Sequence, residues 1–284
     1  MEIALAITDP RRLAALSSYA VLDRAALRSF LDDPMLDELL ARDACASHLY
    51  FGSEYCEHLF PVERDLAIAK ANAERLGVRL VLPTPIANDA LVDRIADTLA
   101  ALPATTEVIV NDWGVAQRLS REFPDHVLSA GRQLAKMIKD PRVPAPAWNA
   151  VYPNNVASGT YARMLSHFAI GKVELDIPPF AGPDLFSIEV LALTVWAPYA
   201  YIAKGRICKT GSLGMVEEEK FAPGRTCHRE CLGILEREPE SISSGLRTYR
   251  RGSSMFYRHD ARMFALLRES IAQNRISRLV LTEV

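Results

Sequence analysis

Two kinds of pattern alternate along the chain. Short runs of consecutive apolar residues, rich in Val, Ile and Leu, are typical of strands that are buried on both faces of a sheet. They predict eight strands, at Glu2–Ile7, His48–Gly52, Arg79–Leu82, Glu107–Val110, His126–Ser129, Lys172–Asp176, Ser187–Thr194 and Ser277–Thr282.

Longer amphipathic stretches lie between these runs, with apolar residues recurring at the spacing of one helix face. The stretch that ends at Leu76 is followed by Gly77, a typical helix stop signal. The predicted helices are Pro61–Leu76, Asp89–Leu102, Trp113–Phe123, Ala157–Ile170 and His259–Asn274.

Strand–helix alternation predicts parallel strands joined by helical crossovers. Eight strands in 284 residues fit an α/β fold of the (β/α) TIM-barrel type, for which about 250 residues is typical. We therefore expect one barrel-like domain over residues 1–284, with a cysteine-bearing excursion after the seventh strand. A doubly wound open sheet is the alternative, but its dinucleotide-binding form needs a glycine-rich loop that does not follow the first strand.

Two segments fit no βα unit. Residues 136–153 contain four prolines, and residues 204–251 are polar and carry three cysteines. Long loops inside a compact domain are usually functional.

The most apolar segment, Val190–Ala203, has 14 residues with Pro198 among them, whereas a membrane span needs about 20. It predicts a buried strand followed by a buried helix.

The charges nearly balance, with 33 Lys+Arg against 35 Asp+Glu. A protein that coats nucleic acid carries a strongly basic surface, so this balance favours a small-molecule substrate over a nucleic-acid partner. The N-terminal residues lack the basic start, long apolar stretch and cleavage site of a secretory signal. We therefore expect a cytoplasmic protein without a membrane span, whose five cysteines are reduced.

Three of these cysteines are close in sequence. Eighteen residues separate Cys208 from Cys227, and three more lead to Cys231. The segment is polar, and the cationic side chains within it (Lys209, Arg225 and Arg229) are expected to favour thiolates over thiols.

A tetrahedral zinc site or a closed cluster needs a fourth ligand. Cys56 is the best candidate, because it follows the second predicted strand and so lies at the face of a barrel where active sites gather. His228 is an alternative fourth ligand for zinc. Cys45 precedes the same strand, and we expect it to be a small core residue. Four thiolates suit both zinc and an iron–sulfur cluster, and unrelated free cysteines are the remaining alternative.

Asp112 and Trp113 follow the fourth predicted strand directly. At the mouth of a barrel they are candidates for substrate binding, with the tryptophan ring stacking on a substrate ring. The alternative is structural, with Asp112 capping the next helix and Trp113 in the core.

Glu174 and Asp176 alternate along the sixth predicted strand, so both face the same side. Burying these carboxylates inside a barrel costs free energy unless they are paired, and we expect a role in substrate binding or proton handling.

Arg132, with Lys136 and Lys139, forms a small basic edge after the fifth strand. It is a candidate to hold a carboxylate, and the alternative is a solvated helix face.

The segments around the cysteines resemble a known family. Residues 49–56 (LYFGSEYC), residues 198–208 (PYAYIAKGRIC) and the Cys227/Cys231 pair are similar to the collagenase-like peptidase family, and within it to the UbiU/UbiV type of oxygen-independent ubiquinone hydroxylation proteins. The UbiV type is the closer match. The resemblance departs from that type in a longer spacer between Cys208 and Cys227 and in the proline-rich excursion.

The resemblance implies a 4Fe-4S cluster on Cys56, Cys208, Cys227 and Cys231, and a heterodimer with a UbiU-like family member. It also implies an aromatic or quinone-precursor substrate with prephenate as oxygen donor, or an RNA base as in related members. The expected function is an iron–sulfur subunit of an oxygen-independent hydroxylation system. The alternatives are a zinc-stabilised, non-catalytic scaffold or binding subunit, and a peptidase, although no Ser/His/Asp or His-Glu-x-x-His arrangement is recognisable.

Overall fold

A computed structural model describes residues 1–141, 155–188, 191–205, 207–221, 227–237 and 245–283. Eight parallel strands close into a barrel surrounded by helices. Each barrel strand pairs with the next along the chain, and β12 closes the ring between β7 and β1. The barrel strands are β1 Glu2–Ile7, β2 His48–Phe51, β3 Arg79–Pro83, β4 Glu107–Val110, β5 Leu128–Ala130, β6 Lys172–Leu175, β7 Ala192–Ala197 and β12 Arg278–Thr282.

Helices follow most of the barrel strands. They are α1 Pro10–Ala15, α2 Arg24–Leu31, α3 Glu63–Leu76, α4 Asp89–Ala100, α5 Trp113–Glu122, α6 Gly159–His167 and α7 Ala261–Ala272. At the start of six of these helices, a side-chain oxygen accepts a hydrogen bond from a backbone N–H that has no partner within the helix. The capping residues are Asp9, Asp23, Asn88, Asp112, Ser158 and Asp260. Short 3₁₀ turns are Leu16–Ser18, Pro34–Glu38, Glu57–Leu59, Asn155–Ala157, Pro183–Phe186, Thr210–Ser212, Glu219–Phe221 and Glu230–Leu232.

The structure confirms the predicted fold class and all eight barrel strands, with shifted ends. The fifth strand begins at Leu128 rather than His126, where its pairing with β4 begins. The seventh begins at Ala192 rather than Ser187, because Ser187 ends a 3₁₀ turn. Helices α1 and α2, of six and eight residues, have no counterpart among the sequence predictions.

A second sheet, antiparallel and absent from the sequence predictions, lies after β7. It consists of β8 Tyr199–Lys204, β9 Glu236–Arg237, β10 Thr248–Arg251 and β11 Ser254–Arg258, in the order β8-β11-β10-β9. The helix predicted at the end of Val190–Ala203 is therefore wrong. The reason is that residues 199–204 pair with β11 in a ladder, and two tyrosines among them suit a strand.

The two predicted excursions are described in part. Most of residues 136–153 lies outside the described residues, as do 206, 222–226 and 238–244 of the segment 204–251. In the part of the chain that is described, no helix is long and apolar enough to cross a membrane.

The barrel interior differs from the layer between barrel and helices. The layer between barrel and helices holds one large apolar core. The barrel interior holds only a small apolar cluster, made of Ala4, Ala6, Tyr50, Val81, Ile109, Trp196 and Val280. Barrels of this type are usually filled with branched apolar residues. Here buried charged residues occupy much of the remaining space, including Glu107, Glu174, Asp176 and Arg278. This charged interior lies directly beneath the candidate site.

Candidate functional site

A cavity of ≈ 660 Å³ opens at the carboxyl ends of the barrel strands. One wall comes from the ends of β1, β2, β3, β7 and β12, and the other comes from the antiparallel sheet. Active sites of this fold lie at the same face. The cavity therefore has a rigid barrel floor and a roof made of the segment that carries the cysteines.

All four predicted ligand cysteines line this cavity: Cys56, Cys208, Cys227 and Cys231. Cys56 enters from the loop after β2, and the others come from the segment between β8 and β9. Cys56 is more than 150 positions from the other three cysteines, so the fold is what brings it to them.

The turn between β10 and β11 packs its backbone against these cysteines. Gly252 has φ 62° in this two-residue hairpin loop, a conformation that favours glycine. A Cβ placed there is 3.3 Å from the Cβ of Cys231 and 3.5 Å from the Sγ of Cys208. The missing side chain is therefore what leaves room for the thiol groups.

The surroundings do not stabilise free thiolates. Burial first, and then the three neighbouring cysteines, raise the pKa of Cys231 to about 12. Burial also raises the pKa of Cys56. The expected cationic neighbours do not reverse this: Arg229 lies 3.7 Å from Asp65, and Arg225 lies outside the described residues. Several thiolates in this cavity would need a bound cation to offset their repulsion.

Backbone amides meet two of the sulfur atoms. The N–H of Gly211 donates to Cys208 Sγ at 3.3 Å, and the N–H of Arg229 donates to Cys227 Sγ at 3.4 Å. Hydrogen bonds of this kind orient thiolate ligands and tune the metal that they hold.

The cavity holds four thiol groups, a donor set that suits both zinc and an iron–sulfur cluster. Within the described residues, no group of three or more His, Cys, Asp or Glu side chains is placed to hold a metal ion. His228 is exposed. Cys45 is also exposed and forms an isolated β-bridge with Asp23, so the prediction that it is a core residue is wrong.

A buried ionic network lies beside the cysteines at the barrel mouth. Arg132 is 3% exposed and contacts Glu54 with Nε and Nη2, while its Nη1 donates to Asp176 Oδ1 at 2.8 Å. Lys139 Nζ donates to Asp176 Oδ2 at 2.6 Å. These cations lower the pKa of Asp176 against the opposing effect of burial. Of the predicted basic edge, Arg132 and Lys139 thus hold the protein's own carboxylates, whereas Lys136 is exposed.

Aromatic rings enclose this network. The guanidinium of Arg132 lies 3.8 Å from the ring centroid of Trp196, in cation–π contact. The rings of Tyr55 and Tyr201 stack with centroids 4.5 Å apart, and the ring of Phe256 meets Tyr55 edge-on. Arg132, Tyr55, Trp196 and Phe256 line the cavity, so planar side chains border the space next to the cysteines.

Asp176 also joins the two sheets. The backbone N–H of Tyr201 in β8 donates to Asp176 Oδ1 at 3.2 Å, and the Tyr257 hydroxyl in β11 donates to the carbonyl of Ile177. The barrel and the cysteine-bearing sheet therefore share hydrogen bonds at the end of β6.

Glu174 lies deeper, between two aromatic side chains that line the cavity. The Tyr50 hydroxyl donates to its Oε1 and Trp196 Nε1 donates to its Oε2, both at 2.9 Å. Burial is the largest influence on Glu174 and raises its pKa to about 8. Glu174 and Asp176 share a strand face, as predicted, but their charge states at neutral pH differ.

A second charged cluster closes the opposite end of the barrel, and sequence reasoning missed it. Arg278 is 1% exposed and donates to Glu107 Oε2 and to the Tyr50 hydroxyl at 2.8 Å, and to His48 Nε2 at 3.0 Å. Because Arg278 always donates, His48 is a neutral acceptor, and burial lowers the pKa of His48 to about 4. A signal was present: Glu107, His48 and Arg278 each begin a strand that otherwise reads as apolar.

Asp112 and Trp113 lie apart from the cavity lining. The Asp112 side chain caps α5 by accepting from the N–H of Gly114 at 2.7 Å. The Trp113 ring stacks on Phe168 at 5.7 Å and meets Tyr161 edge-on. Both residues therefore occupy the structural positions that were the alternative reading of this motif.

Comparison with known proteins adds no identification, since no family model and no curated protein matches the chain. The resemblance to the UbiU/UbiV type remains a prediction from the sequence.

Proposed function

We propose that this protein is a 4Fe-4S iron–sulfur subunit of an oxygen-independent hydroxylation system, of the UbiV-like type. The observation that carries the proposal is the meeting of Cys56, Cys208, Cys227 and Cys231 in one cavity at the barrel mouth. Four thiol groups form a donor set that iron–sulfur clusters and zinc use and that hard cations such as Mg²⁺ do not.

The cavity supports the proposal by its size and its walls. Its volume of ≈ 660 Å³ lies within the range of small-molecule sites. Tyr50, Tyr55, Trp196 and Phe256 line it and suit an aromatic or quinone-precursor substrate. Arg251 also lines it, next to Cys231, and its guanidinium suits a carboxylate such as that of prephenate as oxygen donor.

A bound cluster supplies one-electron transfer or a Lewis-acidic iron beside this space. The chain's own residues hold the thiolates, bind the ring and keep water away from it. Arg132 is neutralised within the protein by Glu54 and Asp176. It therefore shapes the cavity floor rather than competing for an anionic substrate.

A heterodimer with a UbiU-like family member is part of the proposal. Exposed apolar side chains occur in the cysteine-bearing segment, at Leu213, Val216, Ile234 and Leu235. They belong to the segment that carries three of the four cysteines, and exposed apolar side chains there suit a surface that a partner covers. Co-expression with a UbiU-like protein and co-purification through a tag on that protein tests the pairing.

The cofactor is tested by anaerobic purification with iron, sulfide and zinc analysis. We expect a brown protein with about four iron and four sulfide per chain. A Cys227→Ser variant should lose most of the iron, whereas Cys45→Ser is a matched control because Cys45 is exposed and away from the cavity. A colourless, zinc-loaded protein would overturn the proposal in favour of a scaffold, and full iron retention in Cys227→Ser would contradict the ligand set.

A further inference from the structure

Three residues that line the cavity lie side by side on the antiparallel sheet. Lys204 ends β8, Ser254 begins β11 and Arg251 ends β10. Ser254 pairs with Lys204 on one side and with Arg251 on the other. Paired residues of an antiparallel ladder share one face of the sheet, and all three residues line the cavity. The sheet therefore presents a cation, a hydroxyl and a second cation to the cavity, and we term these three residues the cationic row.

The two cations of this row have no partner in the part of the chain that the structure describes. Neither the Lys204 nor the Arg251 side chain forms a hydrogen bond or an ion pair there, and Arg251 Nε is buried without an acceptor. Both residues are half-buried. Burial is the largest influence on Arg251 and lowers its pKa. The guanidinium thus pays a desolvation cost that the fold itself does not offset.

The carboxylates whose charges act on Arg251 are engaged by other arginines. These carboxylates are Glu283 and Asp9. Glu283 contacts Arg12 Nε at 3.1 Å and Arg12 Nη2 at 3.0 Å, and Asp9 accepts from Arg11 Nη2 at 2.6 Å. Neither acid therefore satisfies the N–H groups of Arg251.

The other two carboxylates of the cavity lining are also engaged elsewhere. Glu54 is paired with Arg132, and Glu57 accepts from Asn88 Nδ2 at 3.2 Å. The cationic row therefore keeps a positive charge toward the cavity.

The cysteines act on these cations without occupying their donors. The charge of Cys231 raises the pKa of Arg251, and the charge of Lys204 lowers the pKa of Cys56. The hydrogen bonds to Cys208 and Cys227 come from backbone amides instead. The N–H groups of the cationic row thus remain available to a ligand.

Aromatic rings border the row on the same face of the sheet. Phe256 lies two residues beyond Ser254 on β11, so both side chains share a face. The ring of Tyr55, from the barrel side, meets the rings of Phe256 and Tyr201. A ligand in the cavity therefore finds two positive charges next to a flat apolar wall.

We propose that the cationic row of Lys204, Ser254 and Arg251 binds a small organic dianion whose ring lies against Phe256. Arg251 holds one oxyanion group with its fork of N–H donors, and Lys204 neutralises the second charge as a point charge. Two carboxylates or one phosphate monoester supply the same charge. In naming the charge of the ligand beside the cysteines, this inference rests on the proposed function. The binding site itself requires no metal.

Calorimetric titration of the anaerobically purified, full-length protein tests the charge. Phthalate, phenyl phosphate and benzoate share one ring, and at about pH 8 only the first two carry two negative charges. We expect at least one dianion to bind about tenfold more tightly than benzoate, the scale of one further charged hydrogen bond. Preference for phthalate identifies a dicarboxylate, and preference for phenyl phosphate identifies a phosphate monoester. Binding of neither dianion, or equal affinity for benzoate, would overturn the proposal.

Two variants separate the roles of the cations. Lys204→Met should reduce the preference for the dianion to about onefold and leave benzoate binding unchanged, because Arg251 still holds one carboxylate. Arg251→Met should weaken dianion and benzoate alike, by about tenfold. Lys220→Met is the matched control, since Lys220 also lines the cavity but is exposed on a 3₁₀ turn outside the row. A loss in the control equal to that in Lys204→Met would overturn the proposal.

Urea denaturation of Arg251→Met tests whether this cation is unpaired. Removing a half-buried charge without a partner should leave the unfolding midpoint unchanged or raise it, whereas loss of a structural ion pair lowers it. A lowered midpoint would show that Arg251 already has a partner and would overturn the proposal.

Metal analysis of the same samples separates this inference from the proposed function. A zinc-loaded protein that still prefers the dianion would refute the iron–sulfur function and support the cationic row. An iron-loaded protein without this preference would overturn the inference alone. Preference that appears only in Cys227→Ser would show that the cations serve the metal-bound cysteines, and it would also overturn the inference.

Discussion

The barrel and the antiparallel sheet solve the problem of buried polar groups in opposite ways. In the barrel, Arg132 and Arg278 are each buried against carboxylates of the same chain, so the charges are balanced internally. In the sheet region, Cys231 is buried among other cysteines that raise its pKa. The barrel charges are paired within the chain, whereas thiolates at the cysteine site would need a cation from outside. Stability and function are therefore expected to separate between the two regions.

The largest effect on stability should come from breaking the charged cluster around Arg278 at the end of the barrel opposite the cavity. Arg278→Met leaves Glu107 buried with its strongest partner removed, and losing one member of a buried pair costs about 3–5 kcal/mol in the free energy of unfolding. Urea denaturation measures it. Arg79→Met is the control, because Arg79 is 62% exposed in its pair with Glu2 and should change stability by about 1 kcal/mol or less. Equal effects in the two variants would show that burial does not set the strength of these ion pairs.

The pH dependence of stability should distinguish Glu174 within the barrel. Its pKa is raised from 4.5 to about 8, so the folded chain keeps a proton that the unfolded chain loses. Wild-type stability therefore falls as pH rises through this window, by at most about 1.4 kcal/mol per pH unit from this group. In Glu174→Gln this contribution disappears, so the variant should gain stability relative to wild type as pH rises. A constant difference between the two proteins in urea titrations would contradict it.

A smaller effect on stability, but a large one on cofactor content, is expected at the hairpin beside the cysteines. Gly252→Ala adds a methyl group 3.3 Å from the Cys231 Cβ at a positive φ. Gly214→Ala is the matched control, since Gly214 has φ 78° and open space around its Cβ position. Both should cost about 1 kcal/mol through backbone strain. Only Gly252→Ala should reduce the iron content, and equal iron in both would contradict the close packing against the thiols.

The smallest expected effect concerns thiol reactivity. In protein freed of metal by a chelator, an alkylating reagent at about pH 8 should label exposed Cys45 at least about tenfold faster than Cys231. The reason is that burial and neighbouring cysteines keep Cys231 as a thiol. Mass spectrometry of the two peptides measures the ratio. Faster labelling of Cys231 would show that its surroundings favour the thiolate after all.

The two regions also differed in how far sequence reasoning reached. The barrel strands are buried on both faces, so they appear as continuous apolar runs, and their alternation with helices implies a parallel barrel. In the antiparallel sheet, β9 has only two residues, and β9 and β10 lie in a polar segment. Most of β8 belongs to an apolar run that fits a helix equally well, and the ladder between β8 and β11 joins residues about 50 to 60 positions apart. Such pairing leaves no local signal.

The four cysteines were selected from their spacing and from a family resemblance, and the fold brings them to one cavity. The charge states of the site were beyond sequence reasoning. Glu174 and Asp176 are two residues apart on one strand face, and the pattern treats them alike. Their difference comes from Tyr50 on one side and Arg132 on the other, which lie 124 and 44 residues away in the chain.

The sequence by itself determined the barrel, because hydrophobic burial on both faces of a strand is a local, periodic property. It also determined which residue types carry chemistry. Only the tertiary structure decided which cysteine is exposed, which carboxyl group is paired with a cation, and that Arg132 is neutralised internally. The physical reason is that the ionisation of a buried group depends on the few side chains within hydrogen-bonding distance, and the barrel assembles these neighbours from strands far apart in the chain.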